Sequence, residues 1–235
     1  MAHPLVKRIV RALKLVRPPR KRHSFAGPVL VLGSAPVAHL PEGFDSRFAV
    51  ISVNGAQYHL QQWGLGDPDI TLLTWSQIAS RSPKANEVRG VLAGHGTGTL
   101  YVVRWRRSWR KLRRGLAAIP YRYDKLYLLG RLRRMALYEQ VTSNYNPEEA
   151  IAARYSNGIT GVLLAFHNGA RQVIISGIDP GSDGHAHGTA GYARQHGEVD
   201  IQVIRSLRAQ GRQLYTADPR VAEHSGLPLW TGSEG

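Results

Sequence analysis

Residues 154–179 read R-Y-S-N-G-I-T-G-V-L-L-A-F-H-N-G-A-R-Q-V-I-I-S-G-I-D. Ser156, Asn157 and Gly158 set small capping residues ahead of an apolar run, the local signal for a helix start. Residues 159–168 carry Val162, Leu163, Ala165 and Phe166, the pattern of a buried helix, and Gly169 stops it. Val173, Ile174 and Ile175 follow without a polar break, as in a parallel-sheet strand covered on both faces. Gly177, Ile178 and Asp179 end that strand, where α/β folds carry their sites. The stretch predicts a helix feeding a buried parallel strand.

The helix start has a chemical meaning as well. Unpaired N–H groups and the positive end of the helix dipole at Ser156, Asn157 and Gly158 suit an anion. Gly158 lets a ligand approach the backbone, and Arg154 adds a planar cation matched to phosphate or carboxylate. A plain capped helix with Arg154 in solvent accounts for the same residues equally well.

Working outward, residues 28–32 (P-V-L-V-L) predict a first strand ending in the small-residue turn Gly33-Ser34-Ala35-Pro36. That turn is neither G-x-G-x-x-G nor a Walker loop. Residues 47–53 predict a second strand with Asn54-Gly55 at its end, where Asn54 could bond a base or ribose or simply turn the chain. A helix over 56–63 and a strand over 69–75 follow. Asp67-Pro68-Asp69 spells D-x-D but precedes its strand, so it is a turn rather than a metal ligand pair. Residues 81–98 look irregular, 99–103 and 125–129 look like short strands, and 131–138 looks helical. Asn146-Pro147-Glu148-Glu149 opens a helix leading to the quoted stretch. After Asp179, the glycine-rich residues 180–196 form a lid-like loop containing Asp183, His185, His187 and Tyr192. His185-x-His187 with the two aspartates lacks any supporting metal-ligand spacing. A helix over 197–209 and a strand over 213–215 close the chain.

The 235 residues suit one domain with a real core, and the absence of cysteine excludes disulfides, thiol nucleophiles and thiolate metal sites. The net charge of +15 calls for an anionic partner. Residues 1–22 form a basic amphipathic segment with Leu5, Val6, Ile9, Val10, Leu13 and Val16 on one helical face. Charge interrupts it too often for a membrane span, so it is expected to lie on an anionic surface. Residues 104–114, R-W-R-R-S-W-R-K-L-R-R, interleave tryptophan with cations and suit the same surface. Nucleic acid is favoured by charge alone.

The order strand-G-x-x-P, strand-Asn, R-x-(S/T)-(S/N)-G-helix-G-strand-S-G-I-D, loop, His-x3-Asp resembles the bacterial sialyltransferases of glycosyltransferase family 42. It also resembles the related domain of the flagellin-glycosylating motility accessory factors. The resemblance covers roughly residues 29–215 and is dense in 154–179. It implies a metal-independent, inverting transferase with a CMP-activated sugar donor, a glycan or glycolipid acceptor and no cofactor. It places Ser34, Asn54, Arg154, Ser156, Asn157 and Gly158 at the donor and makes His196 the general base. Ser34 stands where the family has asparagine. The first of two lid tyrosines falls on Gly181, the second is either Tyr192 or absent, and the lid is shorter.

The sequence thus predicts a single α/β, Rossmann-like domain over 23–235 with a mostly parallel sheet and a short lid. Asp179, at a strand end, joins the substrate-binding set. The expected function is transfer of a sialic-acid-like or Kdo-like nonulosonic sugar to a bacterial surface glycan. The expected location is cytoplasmic, peripheral on the inner face of the cell membrane. The rival is a non-catalytic polyanion- or nucleotide-binding protein of the same fold. No oligomeric state follows from the sequence.

Overall fold

The computed structural model describes residues 16–105, 108–144, 154–181, 186 and 196–232. Seven strands form one sheet in the order β5-β4-β3-β2-β1-β6-β7. They are β1 (Val29–Leu32), β2 (Ala49–Val53), β3 (Ile70–Thr74), β4 (Gly96–Val103), β5 (Arg122–Leu129), β6 (Gln172–Ser176) and β7 (Gln213–Thr216). Every pairing between them is parallel, so the mostly parallel sheet expected from sequence is wholly parallel here. The continuous apolar runs have their reason in this. β1 pairs on both sides, with Val31 opposite Ile51 and Ile175, and all four of its residues are fully buried.

Helices cover both faces. On one side lie α5 (Arg131–Thr142), α6 (Asn157–His167), α7 (Gly197–Ala209) and α8 (Pro219–Ser225), packed through Val31, Ile51, Leu163, Phe166, Ile175 and Leu207. On the other lie α1 (Gln57–Gln62), α2 (Trp75–Ala79), α3 (Pro83–Leu92) and α4 (Trp109–Ala117). α6 is the central helix: from Gly158 onward all of its residues are buried. It presses so close to β1 that a Cβ on Gly161 would lie 2.8 Å from Cγ1 of Val31. Strand order reverses at β1, which makes the carboxyl ends of β1 and β6 the topological switch point.

Three expectations change. Residues 81–98 are not irregular: they contain α3, started by Ser82, whose Oγ accepts from Ala85 N–H at 3.3 Å, with Pro83 in the first helical turn. Glycine and serine hid a helix that buries Ala85, Val88 and Leu92. β4 begins at Gly96 rather than at residue 99, and a helix begins within the basic stretch at Trp109. Arg104 instead ends β4 in a left-handed conformation, φ 59°. α8 was not foreseen.

The basic segment 1–22 is described only from residue 16. There it is anchored: the Pro19 carbonyl accepts from His167 Nε2 at 2.7 Å, and the N–H groups of Arg22 and His23 share Oδ1 of Asn168. The helix foreseen at Asn146 lies outside the described residues. Among the described residues, no helix is long and apolar enough to cross a membrane.

Candidate active site at the switch point

The loops after β1 and β6 touch. Gly33 N–H donates to the Ser176 carbonyl at 2.8 Å and Ala35 N–H to the Gly177 carbonyl at 2.9 Å. A Cβ on Gly33 would lie 2.3 Å from the Gly177 oxygen, and Gly177 itself holds φ 61°. Only glycine satisfies both the contact and the dihedral. Ser34 is therefore carried on a turn sealed against β6. It is half-buried, and its carbonyl accepts from the N–H of Ala186, so one lid residue returns to it. From α1, His59 Nε2 donates to the Ala35 carbonyl at 3.0 Å and braces the same turn. Burial pushes the His59 imidazole below its ordinary pKa, against the opposing pull of that carbonyl.

Asn54 ends β2 at φ 54°, a conformation asparagine tolerates. Its Oδ1 is committed to Thr74, accepting from the backbone N–H at 3.0 Å and from Oγ1 at 2.9 Å. Its Nδ2 makes no hydrogen bond among the described residues. Nδ2 of Asn157, in the first turn of α6, also donates to Thr74 Oγ1. Oδ1 of Asn157 is buried with no partner among the described residues. That leaves an acceptor requiring a donor from a ligand or solvent.

The start of α6 differs from the open anion site expected. Ser156 caps the helix, its Oγ accepting from Ile159 N–H at 3.2 Å. Its own N–H is taken by the fully buried carboxylate of Asp200, Oδ1 at 2.7 Å. Gly158 also packs closely, since a Cβ there would lie 2.9 Å from Cδ1 of Ile178. Among the described residues, no hydrogen bond takes the N–H groups of Asn157 and Gly158. Arg154 is half-buried beside them with no ion pair among the described residues.

Sequence reasoning missed Arg134. This arginine of α5 is fully buried. Its Nε donates to Thr160 Oγ1 at 2.8 Å, its Nη2 donates to the carbonyls of Tyr155 and Ser156, and its guanidinium lies 3.8 Å from the Tyr155 ring centroid. Tyr155 returns a hydrogen bond to the Arg134 carbonyl. The only sequence signal was one cation of a basic run continuing into the apolar stretch Met135-Ala136-Leu137.

His196 precedes α7 and gives its carbonyl to Asp200 N–H at 2.9 Å. Through Asp200, the first turn of α7 is bound to Ser156, so His196 comes to the same rim as α6. Asp179 is buried, and its Oδ1 turns back to Gly181 N–H at 2.8 Å, closing its own loop. Tyr192, Asp183, His185 and His187 lie outside the described residues. Asp67 and Asp69 precede β3 at the opposite rim. There they accept from Gln57 Nε2 and Val50 N–H, as befits a turn. Amide, hydroxyl, arginine and imidazole groups from five chain segments thus lie at the carboxyl rim of the sheet.

This architecture matches solved structures over nearly its whole length. It aligns with the monofunctional alpha-2,3-sialyltransferase Cst-I from Campylobacter jejuni over 94% of this chain and 86% of that one, with TM-score 0.59 and 12% identity. The sialyltransferase CstII from Campylobacter jejuni, complexed with the substrate analogue CMP-3FNeuAc, matches with TM-score 0.56 and 14% identity, covering 88% of this chain and 86% of that one. A CST-II structure with a trisaccharide acceptor and CMP gives 0.55 and 14%, covering 88% of each chain. The chain has the sialyltransferase fold. The resemblance drawn from the sequence holds at that level. No family model matches the chain, and no curated protein matches it significantly.

Two outcomes follow. Because burial holds the His59 imidazole below its ordinary pKa, the unfolded chain takes up a proton before the folded chain does as pH falls through about 6.5. Its contribution to stability is present above that pH and lost below it. Thermal melts from pH 7.5 to 5.5 should show a falling midpoint. His59→Gln, which retains a donor for Ala35, should reduce the slope without abolishing it, since burial depresses His23 too. Second, Asp200→Ala leaves the Ser156 N–H unmade and should cost about 1–3 kcal/mol in denaturant unfolding. Asp200→Asn keeps an acceptor and should cost less.

Proposed function

We propose that this protein is a glycosyltransferase using a CMP-activated nonulosonic-type sugar, sialic-acid-like or Kdo-like. Its acceptor is a bacterial surface glycan or glycolipid. Transfer is inverting and metal-independent, and the protein works on the cytoplasmic side, peripheral to the cell membrane, with residues 1–22 as a basic arm on a catalytic unit spanning 23–235. The observation that carries this reading is the convergence of Ser34, Asn54, Asn157 and the α6 start at the switch point of a sialyltransferase fold.

In this reading, Asn54 Nδ2, Asn157 Oδ1 and the Ser34 turn face the nucleotide. Arg154 and the N–H groups of Asn157 and Gly158 take up the phosphate charge that develops as CMP leaves. An acceptor hydroxyl attacks the anomeric carbon, the bond from that carbon to the phosphate oxygen breaks, and the hydroxyl proton passes to His196. Tyr192 steadies the phosphate from the lid. Asp200 orients the first turns of α6 and α7 toward each other, and Asp179 shapes the strand end beneath the lid. A non-catalytic nucleotide- or polyanion-binding protein is the second reading, favoured by serine at position 34 and glycine at position 181.

Isothermal calorimetry should find CMP bound at least about tenfold more tightly than UMP or GMP, a difference of about 1.4 kcal/mol. Equal binding of the three would remove the cytidine assignment. With a CMP-sugar donor, His196→Ala should lower kcat by about 10²–10⁴-fold while CMP affinity stays nearly unchanged. Near-normal turnover by that variant would remove the base assignment. CMP binding without turnover of any CMP-sugar would favour the second reading.

A further inference from the structure

Twelve of the chain's 31 lysines and arginines fall between Arg104 and Arg134, with Asp124 as the one acid among them. The structure divides this run into an internal part, Arg134, and a surface. α4 exposes Arg110, Lys111, Arg113 and Arg114, none with an ion pair among the described residues, and the first turn of α5 exposes Arg131 and Arg133. Two large apolar side chains stand exposed in the same collar, Trp109 at 53% and Leu132 at 41%. Trp109 packs edge-on to Trp105, ring centroids 5.0 Å apart, while Leu112 on the inner side of α4 is buried.

The charges sit where a helix least favours them. The positive dipole end of a helix stabilises acids and disfavours cations. Neither α4 nor α5 has an acid in its first turn; Arg110 and Lys111 begin one, Arg131 and Arg133 the other. Such an arrangement is complemented by anions from outside the chain. The two helix starts are neighbours at one rim: Arg104 N–H donates to the Leu129 carbonyl at 2.8 Å, and Gly130 lies against the Trp105 carbonyl. Arg104 also reaches the Tyr155 carbonyl, Nη2 at 3.4 Å, beside the start of α6. The collar and the candidate active site therefore share the carboxyl rim of the sheet.

We propose that this collar is the membrane-docking face of the protein. Trp109 and Leu132 enter the headgroup layer of an anionic phospholipid bilayer, and the arginines and Lys111 bind its phosphates. Exposed tryptophan ringed by cations suits an interface, where an apolar body and a charged rim are solvated at once. Resting on the glycosyltransferase reading above, the consequence is that the mouth of the crevice opens toward the bilayer. The acceptor is then a lipid-linked glycan presented from the membrane, not a free one.

The test uses the full chain, with residues 1–22 present. Sedimentation with phosphatidylcholine vesicles, with and without phosphatidylglycerol, should show binding only to the anionic ones. The triple variant Lys111→Glu, Arg113→Glu, Arg114→Glu should bind them about a hundredfold more weakly, given the per-cation attraction to anionic surfaces. Trp109→Ala with Leu132→Ala should lose binding while CMP affinity, measured on the same preparations, stays unchanged. Brominated lipid should quench wild-type tryptophan fluorescence more than that of Trp109→Phe. Unaltered vesicle binding by the charge and apolar variants would assign docking to the arm alone and overturn the proposal. Equal binding of duplex DNA and anionic vesicles, lost together in the variants, would make the collar a general polyanion surface and overturn it as well. On turnover, the collar variants should lose activity toward a vesicle-embedded glycolipid but keep it toward a soluble glycoside of the same glycan. Equal loss on both would overturn the orientation. Vesicle binding through the collar without turnover of either acceptor would refute the enzyme reading while leaving the docking face standing.

Discussion

The first turn of α6 is held between opposite charges. On one side the buried Asp200 carboxylate takes the Ser156 N–H; on the other the buried Arg134 guanidinium takes the carbonyls of Tyr155 and Ser156 and the Thr160 hydroxyl. A carboxylate at a helix start and a cation on carbonyls facing away from it both follow the local dipoles. Burial strengthens each contact and makes each costly to leave unmade. Three helices are fixed by this one clamp: α5 carries Arg134, α7 carries Asp200, and α6 lies between them. The helix so positioned fills the middle of one face, and its glycines allow it to lie directly on β1 and on Ile178.

The clamp also bears on the proposed donor site. With the Ser156 N–H taken by a carboxylate, an incoming anion meets the N–H groups of Asn157 and Gly158 together with Arg154. The Asp200 charge lies behind them. In the proposed reading, a phosphate there leans on Arg154 more than on the helix end alone. Below, the contact of Gly33 with Gly177 closes the loops after β1 and β6 against each other. Thr74 joins the start of α6 to the end of β2 by accepting from Asn157 and donating to Asn54.

The net charge of +15 is spent in different ways along the chain. Arg134 is structural and inside. Lys125 and Arg122, with Asp124, stand on the exposed edge strand β5, where charged side chains discourage edge-to-edge pairing. The cations of α4 and of the first turn of α5 instead stand exposed and crowd two helix starts on one rim. Composition registers all of them as one basic balance; only their placement separates them.

By itself the sequence determined what depends on near neighbours. Hydrophobic runs at 28–32, 47–53 and 173–175 located the central strands, and Ser156-Asn157-Gly158 with Gly169 bracketed α6. The helix over 197–209 matches α7 to the residue. That Ser34 follows β1, Asn54 follows β2 and Arg154 precedes α6 was legible from local strand and helix signals, whereas the role given to His196 came only from the resemblance. α3 was hidden because glycine, serine and proline signal both loops and caps, and only burial of Val88 and Leu92 decides between them. The pairing of Asp200 with Ser156 joins residues 44 apart, and that of Arg134 with Thr160 residues 26 apart. No local period records which distant group a buried charge will meet. Tertiary structure alone decided that Gly158 packs on Ile178, that Oδ1 of Asn54 bonds Thr74, and that one arginine of a basic run belongs to the core, because each depends on where the chain returns.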